Sequence, residues 1–495
     1  MMGSHDPQEQ LFTYQVNLEQ RVRTDHPLRR FAAVLDLKWV REEVKECYGR
    51  NGNVSVDPVV LVKMMLLLFL DDIASERELM AIIAERLDYL WFLGYRLDDA
   101  IPNHSVLSKA RARWGAELFE KIFIRTVSQC LAAGLIDGSK LHIDSSLVRA
   151  DAARDSVATG APEVIAALRA AYQQQAAKLE EEPRSPKAVN ATHVSTTDPD
   201  ATLARGGNSP RSELAYKHHR VVDDAQGVIT AVQTTTGDAG DAKALAPLVD
   251  QHQQHTNLKV ATVIGDQHYG SAANYRFCQA RGIQSHVGRA GAYLEAKGLL
   301  PLSAFHYESE ADRYRCPQGH HLSYHNFKKA DQLVEYRISD QALCAQCPLQ
   351  PRCTRSQRGR SVTRPIFAEL VETGVAQAQS AAAKKDRRRR KHLMEGSFAD
   401  AANNHGFKRA RWRGLWRQSI QDWLIAAVQN LRILLRSTTP KTAATLLLCW
   451  LYFKLRLTQL TRPMPNSFLQ TLKRRRENNF PHQLCPNHSI LSPAF

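Results

Sequence analysis

The sequence has no long apolar run. Its two most hydrophobic stretches, "VVLVKMMLLLFL" (residues 59–70) and "AATLLLCWLYF" (443–453), fall well short of the roughly 20 residues that a membrane span needs. Both are expected as core helices, with no membrane partner. The opening, "MMGSHDPQEQLFTYQ", lacks a basic flank followed by an apolar stretch, so no secretory leader is read there and a cytoplasmic location is expected. No convincing internal repeat is present, which argues against a solenoid or propeller. Acids are scarce: 50 Asp and Glu stand against 66 Lys and Arg, a formal charge of +16. Such an excess suits a polyanionic partner, nucleic acid above all, the alternative being a basic surface kept soluble by repulsion. The nine cysteines are an odd number in a long chain. They argue for reduced thiols, and for a metal site in place of a disulfide framework. With 43% apolar residues the chain can bury a large core, in roughly two to four structural units by length.

From about Asp57 to Leu131 the apolar spacing is helical. "SERELMAIIAERLDYLWFLG" begins with an N-cap, Ser75, followed three residues later by Glu78. Within this region "IPNHSVLSKARARWG" offers a short helix with Lys109, Arg111 and Arg113, either a recognition helix for a DNA groove or a solvated helix face. The period then changes to two. In "KLHIDSSLV", Leu141, Ile143, Ser145 and Leu147 fall on one face, and His142, Asp144, Ser146 and Val148 on the other. "AYKHHRVVDDAQGVITAVQTTTGD" reads as a hairpin turning at Asp-Ala-Gln-Gly. A helix over 242–254, a strand in "VATVIGDQHYG", a helix over 271–281 and a strand in "GIQSHVG" follow. Residues 149–212 and 290–383 read as insertions. The helical spacing returns in "LWRQSIQDWLIAAVQNLRILL".

Three acids are hard to explain as surface residues. Asp144 lies inside an apolar strand, where an ionised carboxylate needs a cation, a metal or a proton. Asp266 ends the apolar run "VATVIGD", at the carboxyl end where open α/β sheets place ligands, although a strand-end aspartate is also an ordinary turn former. Glu395 lies in the helical stretch "RRRKHLMEGSFADAANNHG", with Gly406 as its C-cap, although glutamate is a common helix former. Asp151, Asp155, Asp238 and Asp241 are nearby acids without such a context. Convergent carboxylates suit a hard divalent cation such as Mg²⁺.

In order and context these segments resemble the DDE transposases of bacterial insertion sequences, over most of the chain. "VSVDPVVLVKMMLLLFLDDIASERELMAIIAERLDYLWFLG" and "IPNHSVLSKARARWG" are similar to that family's helical amino-terminal domain. "HIDSSLVRA", "VIGDQHYGS" and "MEGSFADAANNHGFKRARWRGL" are similar to its two aspartate strands and its glutamate helix. The resemblance implies an α/β fold: an RNase H-like mixed sheet flanked by helices, an all-helical amino-terminal domain, and insertions in the core. It implies Asp144, Asp266 and Glu395 as the ligands of Mg²⁺ or Mn²⁺, and DNA cleavage followed by strand transfer as the reaction, by a homo-oligomer on DNA. Two departures stand out: the insertion after Asp144 is long, and "DAANNHG" stands where a lysine often follows the glutamate. The expected organisation is a DNA-binding region over 1–135, a core over 136–289 interrupted at about 149–212, a cysteine-containing insertion over 290–383, the glutamate helix and basic region over 384–436, and a tail over 437–495.

"YRCPQGHHLSYH" and "ALCAQCPLQPRCT" supply Cys316, Cys344, Cys347 and Cys353, with His320 and His321 as substitutes. A Cys-x-x-Cys pair with two further sulfurs suits structural Zn²⁺; free thiols and an iron–sulfur cluster are the alternatives. Cys47, Cys130, Cys278, Cys449 and Cys485 are scattered. Residues 384–417 hold twelve Lys or Arg against three acids, so Lys408, Arg409, Arg411 and Arg413 are expected on DNA phosphates, the alternative again being a solvated face. Two other functions fit the same features: a silent, transposase-derived DNA-binding protein, and a simple metal-dependent nuclease.

Overall fold

Why the segments before residue 135 form helices is visible at their ends. In the computed structural model, which describes residues 16–49, 55–176, 188–206, 211–288, 298–328 and 333–437, α1 (Pro58–Leu70) starts at Asp57, whose side chain accepts from the Val59 N–H at 2.8 Å, with Pro58 in the first turn. This helix is apolar nearly all round and is buried accordingly, while Lys63 reaches out to donate to the Phe92 carbonyl at 2.7 Å. In α2 (Glu76–Glu85) the Ser75 hydroxyl accepts from Glu78 N–H, and the Glu78 carboxylate reaches back to Ala74 N–H, close to the expected capping box. Further helices, among them α3 (Ser105–Trp114) and α4 (Glu117–Ala132), pack into the same core. The second apolar run, 443–453, lies outside the described residues. Among the described residues no helix is long and apolar enough to cross a membrane.

The central sheet is mixed. Its strands are β1 (Lys140–Arg149), the short β2 (Thr202–Ala204), β3 (Glu213–Asp223), β4 (Ile229–Thr236), β5 (Thr262–Gly265) and β6 (Gln284–Val287). β3 and β4 form the expected hairpin, with Gly227 in the turn at φ +76°. β1 runs antiparallel to β3 and parallel to β5, and β5 runs parallel to β6, so the order across the sheet is β4-β3-β1-β5-β6, with β2 paired to the start of β3. Alternation along β1 assigns its two faces. Leu141 and Ile143 join the core under α5 (Leu245–Thr256), while His142, Asp144 and Ser146 face the other way.

Helices from the carboxyl-terminal third cover that second face. α6 (Ala272–Ala280) precedes β6; beyond it lies a separate antiparallel sheet of β7 (His306–Glu308), β8 (Arg313–Arg315), β9 (His321–Lys328), β10 (Leu333–Ile338) and β11 (Ser361–Pro365). Next come α7 (Ala368–Gln379), α8 (Ala381–Asn404) and α9 (Leu415–Ser437). α7 belongs to the central layer: Gln377 accepts from Ser285 N–H on β6, and Gly374 lies so close to the Tyr275 ring that a Cβ there would stand 2.4 Å from it. The insertion read over 290–383 therefore ends in a core helix, and the one read over 149–212 contributes β2 to the sheet.

α9 ties the helical layer to the sheet. Ile420, Leu424, Ile425, Val428 and Leu431 are buried in the same core as α1 and α4. Asn430 pairs with the backbone of Ile229, accepting from its N–H at 2.9 Å and donating to its carbonyl at 2.8 Å. An apolar residue at position 430 would leave both groups unsatisfied, at roughly 1–3 kcal/mol each.

Candidate functional site

The pairing of β1 with β5 runs Lys140↔Thr262, Leu141↔Val263, His142↔Ile264. Carried two residues further, this parallel register sets Asp144 level with Asp266. β5 ends at Gly265, and the Asp266 side chain caps the following turn by accepting from His268 N–H at 2.9 Å, so it is both a turn former and a neighbour of Asp144. One oxygen of Asp144 accepts from Ser145 N–H at 2.9 Å, and the other accepts from Arg390 Nη1 at 2.6 Å. Burial pushes the Asp144 carboxyl above its usual range; Arg390 opposes that rise, and the negative charge of Asp266 adds to it.

The side chains around this pair were not singled out from the sequence. Arg220 stands opposite Asp144 in the β1–β3 register, fully buried, and donates to the Ser397 hydroxyl at 2.8 Å and to the Gln429 side-chain carbonyl at 3.0 Å. Its guanidinium lies 4.3 Å from the centre of the Phe398 ring. The signal was the one that marked Asp144, a charge inside an apolar strand. Arg387 and Arg390, three apart on α8, line a cleft of about 510 Å³ together with Gly265, Asp266, Gln267 and Gly288. In the sequence they were part of an undivided run of arginines; only the packing of α8 selects them.

Of the residues expected on phosphates, Lys408 comes nearest the pair. Segment 408–410 is joined to the end of β1, through Arg149 N–H to the Lys408 carbonyl at 2.9 Å and Ala410 N–H to the Arg149 carbonyl at 2.7 Å. This sets Lys408 Nζ 2.7 Å from Ser146 Oγ, on the face that carries Asp144. Burial pulls its ammonium below the usual lysine range, with Arg220 adding to the effect. Arg409 and Arg413 are exposed and share Asp151 as a counter-ion.

Two of the expected DNA contacts are corrected. Arg411 is packed over Phe69 and held by Asp72 at 2.7 Å, its side chain only 9% exposed. Arg111 is buried in an ion pair with Glu76, beneath the Trp412 ring. Both use the guanidinium to join the helical layer to the 406–417 segment, which takes them off the surface. Lys109 and Arg113 on the same short helix remain exposed.

Glu395 does not stand with the aspartates. It is exposed, and none of the described hydrogen bonds or ion pairs involves it. Five residues beyond Arg390 on an α-helix corresponds to about 140° of rotation, away from the face that meets Asp144. Among the described residues no three His, Cys, Asp or Glu side chains are drawn together as a metal site.

The four clustered cysteines lie near one another without being drawn to a common point. Cys316, Cys344, Cys347 and Cys353 line one cavity beside the second sheet. Cys130 and Cys278 are buried core thiols, pushed by burial up to about 12 and about 11, and Cys47 is exposed. Cys449 and Cys485 lie outside the described residues.

Comparison with known proteins adds to this geometry. Residues 16–113 match the family described as Transposase domain (DUF772), and residues 315–435 match the family described as Transposase DDE domain. No curated protein matches the chain. Among solved structures it is similar to the piggyBac transposase synaptic complex with hairpin DNA at 10% identity, over 93% of this chain and 86% of that one, with a TM-score of 0.28, too low a likeness to fix the fold. A transposase domain over residues 16–113 is thus followed by a transposase DDE domain, of a kind that works with a divalent metal ion, over residues 315–435, and the protein is a transposase, an enzyme that cuts DNA and transfers its strands.

Proposed function

We propose that Asp144 and Asp266 are the heart of an RNase H-like active site that cuts the ends of a mobile DNA element and joins the freed 3′-hydroxyl to target DNA. The observation that carries this reading is the β1–β5 register, which carried two residues further brings Asp144 level with Asp266, while Arg390 joins Asp144 to the cleft that Asp266 lines. The strand order, an antiparallel β4-β3-β1 half continued by parallel β5 and β6, supports the RNase H-like reading. The donor set fits a hard cation: two carboxylate oxygens repel one another, and Arg390 supplies the neutralising charge on Asp144. Mg²⁺ is the cation we assign, with Mn²⁺ as its replacement. Bound there, it would supply the Lewis acidity that activates water or a 3′-hydroxyl and stabilises the leaving oxygen. Glu395 is kept as the third ligand on its place in the matched DDE domain, not on its position in this structure.

The chain's own cations handle the substrate. Arg387 and Arg390 in the cleft and Lys408 beside Ser146 bracket the aspartates, so a phosphodiester there meets positive charge from two directions. Arg409 and Arg413 extend this track, and Lys109 and Arg113 mark the amino-terminal helical region, over 1–135, as the part that holds element ends. The protein acts as a homo-oligomer on DNA in the cytoplasm. The cysteine cluster takes no part in this chemistry. The decisive experiment is strand cleavage and joining on DNA carrying the element's ends, with Mg²⁺ or Mn²⁺. Both steps are expected. Binding without cutting would favour a silent end-binding protein, and cutting without joining a simple nuclease.

A further inference from the structure

The second sheet has little core of its own. Its buried side chains are Phe305, Tyr314, Leu322, Tyr336, Ile338 and Val362, and units with so small a core generally need a covalent or metal staple. We infer that Cys316, Cys344, Cys347 and Cys353 bind a single zinc ion that staples this sheet. One turn and two short helices present the sulfurs. Cys316 opens the tight turn between β8 and β9, where Gly319 N–H bonds to the Cys316 carbonyl at 2.9 Å and Gly319 takes φ +85°. Cys344 lies on the short helix Gln341–Ala345 after β10, Cys347 follows it with its N–H directed at the Cys344 carbonyl, and Cys353 ends the next short helix, Gln350–Cys353.

All four line one cavity of about 30 Å³, room for one ion and little else. The Arg360 guanidinium lines the same cavity and donates to the Cys353 carbonyl at 2.9 Å, which fixes the end of the short helix that carries this cysteine. Gly359, at φ +79°, brings the backbone against Cys344, where a Cβ would stand 3.1 Å from its sulfur. All four cysteines are free thiols. The sulfurs stand around the cavity without converging on one point, so binding would have to draw them together.

The test is elemental analysis of the full chain, expressed with zinc in the medium and purified without chelator. About one zinc per chain is expected. Cys344→Ser with Cys347→Ser should remove it and speed limited proteolysis between residues 298 and 365. Asp144→Asn with Asp266→Asn should leave it in place, separating this site from the carboxylates. A mercurial titration of the wild-type chain gives a reading independent of folding of the serine variant, with zinc released in step as four thiols react. A chain without zinc, iron with visible absorbance, zinc retained in the double serine variant, zinc lost with the aspartates, or release that does not follow thiol modification would each overturn the assignment.

Discussion

Strand β1 and helix α8 both bring charged groups to the same place, yet they obey different rules. On β1 the side chains alternate, one face is apolar, and a polar residue therefore has one direction to point; Asp144 reaches α8 because Ile143 must reach the core under α5. α8 has no apolar stripe. Its buried residues are Ala383, Asp386, Met394 and Ala401, and its rotation is fixed by long-range pairs: Asp386 with Lys140 and His286, Arg389 with Asp224, Arg390 with Asp144, Ser397 with Arg220. A helix oriented by ionic partners presents whichever charges find a counter-ion. Several others, Lys384, Arg388, Lys391 and Glu395 among them, are left to solvent.

The largest effect expected from this contrast is on the strand side. Asp144→Asn keeps the size of the side chain and removes its charge, so cleavage and joining should fall by orders of magnitude, while a gel shift on the same end-containing DNA should be unchanged. Asp266→Asn should match it. Persistent activity in either variant would dissolve the proposed pair.

Glu395→Gln tests the helix side directly. If α8 turns this residue toward the aspartates on DNA, the loss should equal that of Asp144→Asn. Activity within a few-fold of wild type would leave the two aspartates as the whole carboxylate set and the orientation seen here as the working one.

Smaller effects should separate buried from exposed arginines beyond α8. Arg411→Ala removes a cation packed on Phe69 and paired with the partly exposed Asp72, and should cost about 1–2 kcal/mol of stability, read from the urea midpoint. Its effect on the salt dependence of DNA binding should be negligible. Lys408→Ala and Arg409→Ala should do the reverse, each lowering the salt slope by about one with little change in stability. Equal slopes in all three variants would remove Lys408 and Arg409 from the DNA track.

The smallest expected effect is a pH dependence at the end of α8. His405 first, then Gln429, Asn404 and Arg432, hold the Asp400 carboxyl well below its usual range. A carboxylate depressed in the folded state stabilises the protein above its unfolded pKa, and that contribution is lost as pH falls from roughly 4 toward the lower folded value. Asp400→Asn should therefore flatten the loss of stability in that window, by a modest amount because the side chain is about a quarter exposed. An acid limb identical to that of the wild type would sink this assignment.

Much of the candidate site's layout was legible before folding, for a physical reason. A two-residue period and a single charged residue in an apolar strand leave few solutions, so the strand places of Asp144 and Asp266, the β3–β4 hairpin and the capped α2 could be read directly. The cysteine spacing likewise announced a cluster. What the sequence by itself could not decide was rotation and burial among the basic residues. Arg111, Arg113, Arg409 and Arg411 look alike in a list of charges, and only the meeting of Glu76, Asp72, Phe69 and Trp412 from distant segments made two of them structural. Arg220 and Arg390 entered the site by the same route, because a counter-ion is chosen by proximity in space, and proximity across some 250 residues of chain exists only once the sheet and α8 have packed.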